Sequence, residues 1–255
     1  MLLIHGWSCG GEHYKYQIDT FKNEYRVIAV DLRNHGDSDK TAYGTDIARM
    51  AADVHELIVG LDLHDVALGG HSMGCSIIWQ MFELYGSERI AKYILIDEDP
   101  MLTTLPNWTE DEKKNYGGSL FTGQSIVDVW GQIHGEGGSD VRHGLLSSLY
   151  NKDVSKEILK WSRDISDKAD HKDMADLILQ HATNDWSRVI PLLDRPTIVF
   201  GGKISGCSYK SMEWVGSVIK DSEVHIFEAE ESGTHFMFIE NYELFNKYLL
   251  DFLKK

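Results

Sequence analysis

Residues 70–74 read Gly70-His71-Ser72-Met73-Gly74, and this stretch restricts what the chain can fold into more than any other. In front of it stands an apolar run, Val66-Ala67-Leu68, that reads as a buried strand. Behind it Ile77, Ile78, Met81, Phe82 and Tyr85 recur at helical spacing. A Gly-x-Ser-x-Gly at a strand-to-helix junction makes a turn so tight that the serine hydroxyl is pushed out at the strand's tip. The helix that starts there offers free N–H groups and favours negative charge. Ser72 is therefore the candidate nucleophile. The pentapeptide recurs by chance in many chains; the strand before it and the helix after it give it weight.

The rest of the chain alternates in the same way. Leu2–Ile4 reads as a strand ending in His5-Gly6-Trp7, followed by a helix with Tyr14, Ile18 and Phe21 on one face. Residues 25–30 read as the next strand, with a turn over residues 31–38. Residues 45–60 read as a helix with Ile47, Met50, Ala51, Val54, Leu57 and Ile58 as its apolar stripe. After the elbow, residues 92–96 form a short apolar strand ending on Asp97-Glu98-Asp99-Pro100. Residues 196–202 read as a strand and turn, residues 223–227 as the last strand, and 241–254 as a closing helix, with Gly233-Thr234-His235-Phe236 in the loop between. Strands alternating with helices predict an α/β fold, a mostly parallel sheet of about six strands covered on both faces. Residues 101–190 break the rhythm: they read as helical and carry Trp108, Trp130, Trp161 and Trp186. We read them as a helical cap inserted into a core made of residues 1–100 and 191–255, with Gly135-Glu136-Gly137-Gly138 as a flexible corner inside it.

Composition removes several function classes. The 255 residues suit one large α/β domain, and 42% hydrophobic residues are enough for a core. A formal charge of −15 argues against nucleic acid and anionic membrane as partners. The three cysteines lack Cys-x-x-Cys spacing and fit a reducing cytoplasm. No apolar stretch approaches the length of a membrane span, and no signal peptide precedes the first strand. The 12 histidines are scattered without ligand spacing, and no Gly-x-Gly-x-x-Gly or phosphate loop is present, so neither metal nor cofactor is implied.

The order of these motifs resembles the α/β-hydrolase superfamily over essentially the whole chain. The resemblance rests on His5-Gly6-Trp7, Asp31-x-Arg33-x-His35-Gly36-x-Ser38, the Gly70–Gly74 elbow and Gly233-Thr234-His235-Phe236. It implies a Ser-His-acid hydrolase, with Ser72 as nucleophile, His235 as general base, and the backbone N–H groups of Trp7 and Met73 as the oxyanion hole. Two departures stand out. Only four residues precede His5 where members carry two further strands, so either the start is displaced or the sheet is short, and a missing edge hairpin would leave an edge open to dimerisation. The turn at 201–207, the usual place of the acid, contains no carboxylate. Some members place the acid after the strand that follows the elbow helix, which here makes Asp97 the candidate and Glu98 the second choice.

Other residues have plainer readings. His5 reads as structural, and Asp31, Arg33 and Ser38 as turn-stabilising. Asn34 stands where glycine is common, and asparagine tolerates positive φ. His71 is expected to shape the pocket, and Trp130 either to line it or to pack the cap. Haloalkane dehalogenases and epoxide hydrolases of this fold use aspartate as nucleophile, which Ser72 disfavours. The position of Asp97, the acid-free turn, the Gly-Thr-His-Phe run and Asp128-Val129-Trp130 also resemble the cofactor-independent quinolone dioxygenases of this fold, where a His–Asp pair deprotonates the substrate and the serine assists. Met73 stands where that group has histidine. Three functions follow: a serine hydrolase of a small ester, thioester or lactone; a dioxygenase using a His235–Asp97 dyad; and a non-catalytic small-molecule sensor.

Overall fold

A computed structural model describes residues 1–255, apart from the side chain of Ser119. The strands are β1 (Leu2–Ile4), β2 (Ile28–Val30), β3 (Val66–His71), β4 (Ile90–Ile96), β5 (Met101–Thr104), β6 (Gly117–Thr122), β7 (Thr197–Gly202) and β8 (Ser222–Phe227). The helices are α1 (Lys15–Phe21), α2 (Ile47–Gly60), α3 (Met73–Tyr85), α4 (Glu110–Tyr116), α5 (Gly123–His134), α6 (Gly138–Ser148), α7 (Lys156–Ser166), α8 (His171–Ala182), α9 (Tyr209–Val218), α10 (Met237–Glu240) and α11 (Tyr242–Leu253). Six strands pair in the order β2-β1-β3-β4-β7-β8, every pair parallel. This is the expected α/β-hydrolase architecture.

Parallel strands covered on both faces are apolar throughout, and the side-chain period of two sorts them into two cores. Leu2, Ile4, Tyr93, Leu95 and Val199 join α2 and α3 on one face. Leu3, Ile94, Ile96, Ile198 and Phe200 meet Phe21, Phe238, Phe245 and Leu249 on the other. The α2 stripe behaves as its spacing predicts: Ile47, Met50, Ala51, Val54 and Ile58 are buried, and Asp46 caps the helix by accepting from Arg49 N–H. The second strand is shorter than its apolar run, because only Ile28–Val30 find β1 to pair with.

Residues 101–190 lie between β4 and β7. Besides α4–α8 they contain β5 and β6, a parallel two-stranded pair that helical periodicity alone does not foretell.

The chain runs from β1 outward to β2 and then returns to β3 on the other side of β1. The loops after β1 and β3 therefore diverge and leave a crevice at the carboxyl ends of the strands. The elbow is built there by close backbone contact. Ser72 itself takes φ +52° and ψ −127°, while Gly70 and Gly74 do not adopt positive φ. The glycines are required for space: a Cβ on Gly70 would lie 2.4 Å from the Gly74 carbonyl carbon, and one on Gly74 would lie 2.4 Å from the Ile4 carbonyl oxygen. Both obstacles are backbone and cannot rotate away. Gly74→Ala is thus expected to destabilise the protein by about 1–3 kcal/mol, the usual cost of overpacking, read as a lower urea midpoint at unchanged slope.

Candidate active site

Three segments far apart in sequence converge on the crevice. Gly6 and Trp7 follow β1, His71 and Ser72 close β3, and His235 and Phe236 stand just before α10; all of them line one cleft of about 130 Å³. Apart from Cys9, the remaining lining comes from residues 101–190 and is largely apolar, including Leu102, Leu120, Phe121, Leu145, Leu149 and Ile178.

His235 is 4% exposed, and its Nδ1 lies 2.6 Å from Asp97 Oδ2. Asp97 is fully buried and sits immediately past β4 with φ +53°. A buried carboxylate needs several donors. Here Gly202 N–H donates to Oδ1 at 3.2 Å, and Ser205 Oγ–H donates to Oδ2 alongside His235. The turn at 201–207 thus supplies donors to the carboxylate that follows β4. Neither Ser205 nor Gly202 stood out in the sequence; the signal was the lack of a carboxylate on that turn. Glu98, the second candidate for the same contact, points elsewhere: its Oε1 lies 3.1 Å from His181 Nε2. Asp99 takes a third direction, accepting from Ser208 N–H at 3.0 Å and from Ser211 Oγ–H.

With Nδ1 engaged by Asp97, the Nε2 edge of His235 is left for the cleft that Ser72 also lines. Ser72 Oγ makes no hydrogen bond among the described residues, and its N–H is held by the Ile96 carbonyl at 2.8 Å. The Met73 N–H opens α3 and has no helical acceptor, and Trp7 N–H likewise finds no acceptor among the described residues. The Trp7 indole is anchored on the 101–190 segment, donating to the Met174 carbonyl at 2.8 Å. The loop carrying His235 is tied down by Glu240, which accepts from Thr234 Oγ1–H at 2.5 Å and from Asn151 N–H at 3.1 Å.

His71 is buried, and its Nε2–H donates to the His235 carbonyl at 2.9 Å, with the two rings 4.5 Å apart. Burial, and then the neighbouring His235, hold its pKa well below the ordinary histidine value, so it is a neutral spacer behind His235. Of the two expectations for Trp130, pocket lining is not met and packing is: it is not among the residues lining the cleft and lies on α5 with its indole N–H donating to Asp176 Oδ1 of α8 at 2.8 Å. The packing of α5 against α8 claims its polar edge.

Asp97, Cys207 and His235 each offer a donor atom within 4.8 Å of the others. Both Asp97 oxygens already accept hydrogen bonds, and burial pushes the Cys207 thiol well up. A cation would need a thiolate and free ligand atoms, so the set works as a hydrogen-bond network.

The family follows from comparison. Residues 1–242 match the alpha/beta hydrolase fold model, and the chain belongs to that family. It is 24% identical over 100% of its length, and 92% of the relative, to a non-heme haloperoxidase of Rhodococcus erythropolis. Among solved structures it superimposes on an esterase from Exiguobacterium antarcticum with TM-score 0.88 and 24% identity, covering 100% of this chain and 92% of that one. A bromoperoxidase from Bacillus anthracis gives TM-score 0.89 and 25% identity over 100% and 91%. The chain is an enzyme of this fold. No helix among the described residues is long and apolar enough to cross a membrane.

Other buried histidines brace the loops beneath the site. His5 accepts from Leu32 N–H on Nε2 and donates from Nδ1 to the Gly6 carbonyl, joining the turns after β1 and β2. Burial lowers His5 and His13 from 6.5 to about 4, and His35 from 6.5 to about 3. Their stabilising contribution is therefore complete above the unfolded value near 6.5 and is lost as pH falls toward the folded values near 4 and 3. Each adds up to about 1.4 kcal/mol per pH unit inside that window. Calorimetric Tm should accordingly drop between pH 7 and pH 5, with proton uptake on unfolding of more than one per molecule.

Proposed function

We propose that the protein is a serine hydrolase of small carboxylic esters, thioesters or lactones. The observation that carries this reading is the 2.6 Å His235–Asp97 contact opening onto the same small, apolar cleft as Ser72, which is held outward by its left-handed backbone. Asp97 holds the imidazole with its proton on Nδ1, leaving Nε2 as the base. Ser72 Oγ attacks the substrate carbonyl carbon as its proton passes to His235 Nε2. The carbonyl π pair moves onto oxygen, and the Trp7 and Met73 N–H groups stabilise that oxyanion, each worth about 3 kcal/mol. When the tetrahedral species collapses, the leaving alcohol takes the His235 proton. Water, deprotonated by the same nitrogen, then releases the acid. Residues 101–190 act as the cap that closes the apolar side of the pocket, which favours a short acyl chain.

A second reading is favoured by two observations: Ser72 Oγ is not hydrogen-bonded to His235, and the carboxylate that meets His235 follows β4. In that reading the His235–Asp97 dyad deprotonates a bound ring hydroxyl, and the resulting electron-rich ring anion, its oxygen lone pair delocalised into the ring, reacts directly with oxygen.

The expected outcome is hydrolysis of p-nitrophenyl acetate and butyrate and stoichiometric labelling by a serine-directed phosphonate. Ser72→Ala should abolish the labelling and lower kcat/KM by about 10⁴-fold or more. Retention of turnover in Ser72→Ala with an inactive His235→Ala, together with oxygen uptake on a hydroxyquinolone, would support the dyad reading instead. Asp97→Asn should cost about 10⁴-fold in kcat, since the amide can donate to Nδ1 and favours the wrong tautomer. A near-normal rate in that variant would exclude Asp97 as the orienting acid.

A further inference from the structure

The cleft wall carries a second acid–histidine pair. His181, in the last turn of α8, lines the cleft, while Glu98 stands behind it on the loop after β4. The side chains are 2% and 1% exposed, and Glu98 Oε1 lies 3.1 Å from His181 Nε2. That approach lacks hydrogen-bond geometry, and no other described residue supplies a partner. Both Glu98 oxygens and both His181 ring nitrogens stay without a hydrogen bond. Buried polar groups are rarely left so, because each unmet group costs about 1–3 kcal/mol. An apolar side chain would line this cleft at no such cost, as Leu102, Phe121, Leu149 and Ile178 do around it.

We propose that His181, backed by Glu98, is a specificity-determining subsite that binds a hydroxyl on the acyl part of the substrate. With Glu98 on the Nε2 side, Nδ1 is the ring nitrogen left for a ligand, and since Nδ1 is itself buried, a ligand meets it as the imidazole turns toward the cleft. A hydroxyl can donate to an unprotonated Nδ1 or accept from a protonated one, so it pairs with either state of the ring. A plain alkyl chain leaves the pair unmet. This deepens the hydrolase reading and rests on it for the identity of the acyl group, but the binding preference can be measured without turnover.

The test pairs methyl butanoate with methyl 2-hydroxybutanoate and methyl 3-hydroxybutanoate. In the wild-type enzyme kcat/KM should favour at least one hydroxy ester by about tenfold, the worth of one well-placed hydrogen bond in a dry pocket. The double replacement Glu98→Leu with His181→Leu removes both polar groups together and so leaves neither buried without the other. In it the ratio of the two rates should fall to near one. The same three esters are then titrated onto Ser72→Ala protein by ligand-observed NMR, where the hydroxy ester should bind about tenfold more tightly. Equal affinities there overturn the subsite, as does a rate ratio unchanged by the double replacement. A binding preference in Ser72→Ala beside a wild type that cleaves none of the esters overturns the hydrolase reading and leaves the subsite standing. A folded double variant is verified by circular dichroism; if it does not fold, His181→Phe alone carries the comparison, with the same loss of ratio expected.

Discussion

The site hangs on one buried carboxylate. Asp97 is fully enclosed, so its charge must be met by donors, and its three donors come from two directions. Gly202 N–H and Ser205 Oγ–H arrive from the β7 turn, and His235 Nδ1 arrives from the loop before α10. Removing a carboxylate from water costs several kcal/mol unless such bonds replace the hydration. The same interaction that orients the imidazole therefore also pins the β7 turn to the end of β4. Loop positions that would otherwise be variable are coupled through it.

The acidic run Asp97-Glu98-Asp99 shows how little local sequence says about destination. Its three carboxylates are adjacent in the chain, yet each meets a different part of the molecule. Asp97 reaches His235, Glu98 reaches His181, and Asp99 caps the region around Ser208 and Ser211. The left-handed backbone at Asp97 turns the run sharply, so that consecutive side chains diverge. One turn thereby serves His235, His181 of the cleft wall and the approach to α9.

The cleft combines a polar floor with apolar walls. The floor comes from the strand ends, where the parallel sheet splays at its switch point and backbone N–H groups are left over. The walls come mostly from residues 101–190, which reach over it with leucine, isoleucine and phenylalanine side chains. Charge developing at Ser72 would do so beside low-dielectric walls, where the few donors present count for more than in water. His181 interrupts that apolar wall, with Glu98 behind it, and the lack of hydrogen bonds to either side chain is what gives the pair meaning.

Much of the architecture was legible in the chain. The period-two alternation of Leu2, Leu3 and Ile4, the α2 stripe and the Gly70–Gly74 elbow are local patterns, and local patterns specify strand, helix and turn. His235 and Ser72 were legible for the same reason, since each stands at a turn whose residues mark it. The choice between Asp97 and Glu98 as the neighbour of His235 was not settled there. It depends on a contact across 138 residues, set by the register that places Ile96 opposite Phe200 and by the turn that follows each strand. Trp130 could line a pocket or pack a seam, and only the docking of α5 on α8, with Asp176 within reach, decided for the seam. Nor does any spacing announce Ser205 as a donor or His181 as a cleft residue. The sequence alone determined the elements and the turns that expose Ser72 and His235. The tertiary structure decided which polar groups face one another, because those pairings arise from register and packing between segments that share no local pattern.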